Sequence, residues 1–110
     1  MVEEPRAPKA TESTFDAERL ILDEARHALT EGETSRALSR LKAHESKHPN
    51  GTLTEEREAL TVRALASAGR TDEANIRGKA FLAAYPESLF GSAVEAAMAR
   101  AKPAPRPEPQ

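Results

Sequence analysis

GETSRALSRLKAHESKHPNGTL, residues 32–53, returns in altered form as GRTDEANIRGKAFLAAYPESLF, residues 69–90. The two stretches share seven identities in 22 positions at a constant offset of 37 residues. The shared residues are a glycine (Gly32/Gly69), a threonine (Thr34/Thr71), two alanines (Ala37/Ala74 among them), an arginine (Arg40/Arg77), a lysine (Lys42/Lys79) and a proline (Pro49/Pro86). Several fall where backbone geometry dictates the residue type. A repeat of this length marks a helical array, in which each unit is too small to bury its own apolar face and stacks on its neighbours.

Working outward, each unit reads as helix, glycine turn, helix, proline stop. A first helix over about 16–30 carries Ile21, Ala25, Ala28 and Leu29 at i, i+4, i+7 and i+8. Gly32 ends it, since glycine takes the left-handed conformation at a helix C-terminus without steric cost. Thr34 is expected to cap a second helix, 34–47, whose inward side is Ala37, Leu38 and Leu41; Pro49 forbids its continuation. Thr52 and Glu55 fit a capping box before a third helix, 54–68, with Ala59, Val62, Leu65 and Ala66 inward. Gly69 and Thr71 make the next turn. A fourth helix, 72–84, brings Ala74, Phe81 and Leu82 inward and stops at Pro86. Ser88 is placed to cap a fifth, 89–101, bearing Leu89, Phe90, Val94, Ala97 and Met98.

The expected fold is therefore all-α, with antiparallel helix hairpins stacked as a short superhelix of about five helices. The body spans 14–101, with units at about 18–51 and 55–88 and a closing helix at 89–101. Six of the eight prolines lie in the ends, so 1–13 reads as a charged linker and 102–110 as a Pro-rich tail. The tail PAPRPEPQ suits a spacer better than a ligand for a proline-reading domain.

Composition narrows the function. A 110-residue chain that is 38% hydrophobic and 31% charged makes one small domain with little material for a large core. A net charge of -2 argues against nucleic acid, which calls for a clustered basic surface. The absence of cysteine excludes disulfides, thiolate zinc sites and cysteine nucleophiles. The longest strongly apolar run, Leu20-Ile21-Leu22, is far short of a membrane span, and the acidic N-terminus lacks the apolar segment of a secretory signal. The expected location is the cytoplasm if the chain is complete, and the periplasmic side of a cell envelope if it belongs to a longer anchored protein.

Laid out this way, the chain resembles the tetratricopeptide family over about 18–101. The matching residues are the small Ala25, the turn glycines Gly32 and Gly69, Ala37 and Ala74 at close helix approaches, Phe81 as filler between neighbours, and Pro49 and Pro86 as helix stops. Departures are a repeat three residues longer than the usual length of about 34, Val62 at a small-residue position, and Ile21 and Ala28 where the family's tryptophan and tyrosine stand. FLAAYPES and the turns look more like the divergent members in bacterial envelope proteins, such as outer-membrane assembly lipoproteins and tails of membrane-anchored sigma-factor regulators. The resemblance implies a non-catalytic protein-interaction module that takes a partner protein or extended peptide in a concave groove. It also allows a homodimer through an end helix, or a structural or regulatory tail domain of a larger envelope protein.

Two constellations compete as sites. HESKH, His44 to His48, spells the H-E-x-x-H of zinc hydrolases, in which two histidines hold the metal and the glutamate activates water. Its context is wrong for a buried zinc. Ser46 and Lys47 are polar, no third ligand follows, and only His27, on the neighbouring helix, remains to approach His44. The repeat sets His44 opposite Phe81 and His48 opposite Tyr85, which makes His44 a packing residue and leaves no metal or other cofactor expected. The acidic pairs Asp23-Glu24 and Glu55-Glu56 read as solvated helix faces. The second constellation is Arg26, Arg63 and Arg100, spaced by 37. By the resemblance these line the groove beside Leu22, Ala59 and Ala96, then Leu29 and Ala66, and suit an acidic, partly apolar peptide. The plainer reading is that each arginine pairs with a nearby acid, as Asp23 with Arg26. The asparagines of carboxylate-clamp members are missing from these positions, which argues against a chaperone adaptor.

Overall fold

Two glycines turn the chain back on itself. Gly32 and Gly69 have φ of 78° and 79°, a region that residues with a Cβ rarely adopt. At the first turn the Glu33 N–H donates to the Ala28 carbonyl (2.8 Å) and the Gly32 N–H to that of Leu29 (3.1 Å). At the second, Arg70 donates to Leu65 (2.9 Å) and Gly69 to Ala66 (3.1 Å), one period later. Both are Schellman closures, which satisfy the last carbonyls of the preceding helix.

The computed structural model describes residues 10–101. Five α-helices follow in order: α1 (Ala10–Thr30), α2 (Thr34–Lys47), α3 (Thr54–Ser67), α4 (Thr71–Ala84) and α5 (Gly91–Ala101). α1 pairs with α2 and α3 with α4 as antiparallel hairpins; α3 also packs on α2 and α5, and only lightly on α1. The fold is the all-α hairpin stack expected from the sequence. No described helix is long and apolar enough to cross a membrane.

Core residues follow the repeat. Leu22, Ala25, Ala28, Ala37, Leu41, Leu60 and Ala64 form one cluster, and Ala59, Val62, Phe81, Val94 and Ala97 a second. A smaller group of Leu65, Ala74 and Ala101 closes the far end. Because α3 is central, its buried residues surround it, including the polar Glu56, Arg57 and Thr61. The two proline-stopped helices end alike. His48 has φ -134° and ψ 62°, Tyr85 has -131° and 66°, and each donates its N–H to the carbonyl four residues back.

Several local expectations need correction. α1 begins at Ala10, not near 16, because no proline after Pro8 stops it from extending back. The linker reading of 1–13 therefore fails over its last residues, and the rest of it, like the whole tail 102–110, lies outside the described residues. Thr34 does not cap α2; the N-cap is Glu33, without a side-chain bond. The capping box of Thr52 and Glu55 does not form either, since Leu53 is the N-cap and the amides there find their acceptor on α1. Ser88 does receive the Phe90 N–H (2.9 Å), but the helix starts at Gly91, which leaves Leu89 in the turn and 95% exposed.

Candidate functional site

α1, α3 and α5 carry the three arginines at equivalent places, and the structure brings two of them together. Arg26 and Arg63 line a cleft of about 100 Å³ with Glu56, Ala59, Leu60, Phe90 and Ala93. Arg100 is exposed on α5 and is not among its lining residues. The apolar strip expected beside them is mostly core. Leu22 is 0% exposed and Ala59 2%, so Leu22 offers no surface to a partner and Ala59 only an edge of the cleft. Leu29 and Ala66 are partly buried against the core clusters. Ala96, one period after Ala59, is exposed.

The cleft holds a resident carboxylate that the sequence reading missed. Glu56 accepts from Arg19 (3.0 Å) and from Arg26, while Arg26 also bonds Asp23 (3.2 Å). Arg19 in turn sits over the Phe15 ring, 5.9 Å from its centroid. Glu56 is thus a nearly buried acceptor clamped by two guanidiniums, and the solvated-face reading of Glu55-Glu56 fails for it. The i,i+3 pair of Asp23 and Arg26 forms as its spacing suggested. Arg63 makes no ion pair among the described residues, which leaves it as the cleft's available cation.

A second polar assembly lies inside the protein. Glu18 and His44 are both 0% exposed, and Arg57 is 5% exposed. Glu18 Oε1 lies 2.8 Å from His44 Nε2 and accepts the Leu53 N–H at 2.9 Å; Oε2 accepts the Thr52 N–H at 3.0 Å. On the far side of the ring, Arg57 Nη1 is 3.3 Å from His44 Nδ1. A guanidinium only donates, so Nδ1 must be the acceptor and Nε2 must carry the hydrogen given to Glu18. The geometry fixes His44 as the neutral Nε2–H tautomer.

Electrostatics agree with that assignment. Burial pushes the Glu18 carboxyl up, but the Leu53 amide, the His44 ring and the Thr52 amide outweigh it and hold Glu18 below its ordinary value of 4.5. Burial pushes His44 below its ordinary 6.5; Arg57 and His48 add to this and Glu18 opposes it. Beyond Arg57 the chain of polar groups continues. Glu58 accepts from Arg57 Nη2 (2.9 Å) and from Arg77 on α4 (3.1 Å).

This arrangement removes the basis of the zinc reading at His44, Glu45 and His48. Both ring nitrogens of His44 are engaged, and Glu45 is exposed while His44 is buried. His48 stacks on His44 at 5.4 Å and 41°, as Tyr85 stacks on Phe81 at 5.1 Å and 42°. No group of three or more metal-binding side chains assembles among the described residues. Sequence reasoning placed His44 in the packing but missed Glu18, its partner. The signal was present, since Glu18 lies four residues before Leu22 on the buried stripe that continues to Ala25 and Leu29. Comparison with protein families, with characterised proteins and with solved structures gives no match.

Proposed function

We propose that this chain is a non-catalytic, tetratricopeptide-like interaction module that docks a partner protein or peptide on the face formed by α1, α3 and α5. One observation carries the reading: Arg26 on α1, Arg63 at the equivalent place on α3, and Phe90 just before α5 surround a single cleft. Arg63 is the cation available to a partner's carboxylate, and Phe90 with Ala93 supplies the apolar contact. Glu56 holds Arg26 and Arg19 in place and sets a threshold, because a weakly acidic ligand gains only Arg63. The favoured ligand is an extended segment with an acidic residue next to an apolar one.

The test is fluorescence anisotropy with a panel of labelled acidic-apolar peptides. Binding should weaken by about tenfold or more in Arg63→Glu, the scale of one charge-assisted hydrogen bond. Salt should weaken it too. Arg100→Glu should change it little. Equal binding by wild type and Arg63→Glu would remove the cleft from the account.

A further inference from the structure

The buried assembly touches four helices and takes no part in the cleft. Glu18 comes from α1, His44 from α2, Arg57 and Glu58 from α3, and Arg77 from α4. Only one link in it, His44 to Arg57, joins the first hairpin to the second while depending on an unprotonated ring nitrogen. We infer that His44 is a proton-operated latch between the hairpins, in which one proton on Nδ1 releases Arg57 and loosens α2 from α3, while α1 stays tied to α3 through Arg19, Arg26 and Glu56.

The proton goes onto the lone pair that accepts from Arg57 Nη1. An N–H then faces an N–H across 3.3 Å, with two positive charges in a buried site. Glu18 meets the ring at Nε2, and its other bonds go to the Leu53 and Thr52 amides, so it opposes the added charge without separating Nδ1 from Arg57. The Glu18–His44 bond becomes charge-assisted and keeps α1 with α2. Arg57 has Glu58 to fall back on, through both Nε (3.1 Å) and Nη2 (2.9 Å), and stays with α3. The seam that opens is therefore the one between α2 and α3. The charged and titratable groups around His44 are Glu18 from α1, His48 from its own helix and Arg57 from α3, with Glu58 and Arg77 behind Arg57. The loop before α3 contributes only the Thr52 and Leu53 amides.

The sign follows from linkage. A histidine held below its ordinary value contributes stability that is complete above about pH 6.5. That contribution falls as the unfolded or opened form takes up its proton first. Glu18, also held low, contributes stability that is present above 4.5 and lost only as pH falls through its lower folded value. The first loss on acidification belongs to His44.

Amide hydrogen exchange on the whole chain at about pH 7.5 and about pH 5, corrected for intrinsic rates, reads the latch directly. Protection around Leu41, Leu60 and Ala64 should fall by up to about tenfold per pH unit, the limit for one proton. Protection around Phe81, Val94 and Ala97 should hold. His44→Gln supplies an amide N–H to Glu18 and a carbonyl to Arg57 without titrating, so its exchange should be flat with pH. If that variant does not fold, the wild-type His44 ring titration followed by NMR must share its midpoint with the onset of exchange at α2 and α3. Uniform loss of protection in all five helices, a pH response retained in His44→Gln, or non-coincident midpoints would each overturn the latch.

Discussion

Where the first hairpin meets the second, His44 faces Arg57 and Glu18 holds the Thr52 and Leu53 amides. One period later Phe81 and Val94 stand in the same places within an apolar cluster, and the Phe90 amide, equivalent to that of Leu53, is held by Ser88. Ser88 is itself the counterpart of Gly51. The two loop solutions exclude each other, because a Cβ at Gly51 would lie 2.3 Å from the Glu18 carboxylate. The first joint thus uses a distant, buried carboxylate and a glycine that makes room for it; the second uses a local hydroxyl and an oily contact. A shared backbone plan fixes where two helices meet, while the chemistry of the meeting varies from unit to unit.

Truncating either joint should have the largest effect. Phe81→Ala leaves a cavity, and Glu18→Ala strands the buried His44 Nε2–H and two part-buried amides; each should cost about 3–5 kcal/mol in urea unfolding. A loss under about 1 kcal/mol for Glu18→Ala would mean that the polar joint adds nothing the oily one lacks. Next comes exchange of the loop solutions. Gly51→Ser alone should cost about 1–3 kcal/mol through its clash with Glu18. In the Glu18→Ala background the same change should recover stability by supplying a local cap, and a double-mutant cycle measures that coupling. Strict additivity would break the comparison.

The smallest effect concerns a size exchange at one further pair of equivalent positions. Leu41 and Thr61 in the first joint answer to Gly78 and Met98 in the second, and a Cβ at Gly78 would meet the Met98 sulfur at 2.4 Å. Unlike Glu18, Met98 is a flexible side chain on an open cleft that it lines with Leu82 and Lys79. Gly78→Ala should therefore let helix propensity win, stabilising by up to about 1 kcal/mol. Marked destabilisation in thermal melts would show that Met98 is as tightly held as Glu18.

Much of this was legible in the sequence. The 37-residue offset, the turn glycines and the stopping prolines are local or periodic signals, and they located the helices and most of the core. Residues whose partners are remote in sequence were not legible. Glu18 bonds residues 26 to 35 positions away, and Glu56 bonds Arg19 37 positions away and Arg26 30 positions away. Reading a glutamate outward by residue type overrode the place of Glu18 on the buried stripe, and only the packed helices show what the two carboxylates bond. Capping failed as a guide for the same reason, since a side chain from α1 took the role assigned to Thr52. The groove was half legible: Arg26 and Arg63 share a cleft, but Leu22 belongs to the core and Arg100 lies outside the cleft.

Everything distinctive about the first joint rests on which nitrogen of His44 carries the hydrogen. Nitrogen-15 NMR of the imidazole in the intact protein at neutral pH reports this directly. The account predicts a neutral ring protonated at Nε2, with the Nε2 proton shifted by its bond to Glu18 and an unprotonated Nδ1. An Nδ1–H tautomer, or an imidazolium at neutral pH, would contradict it.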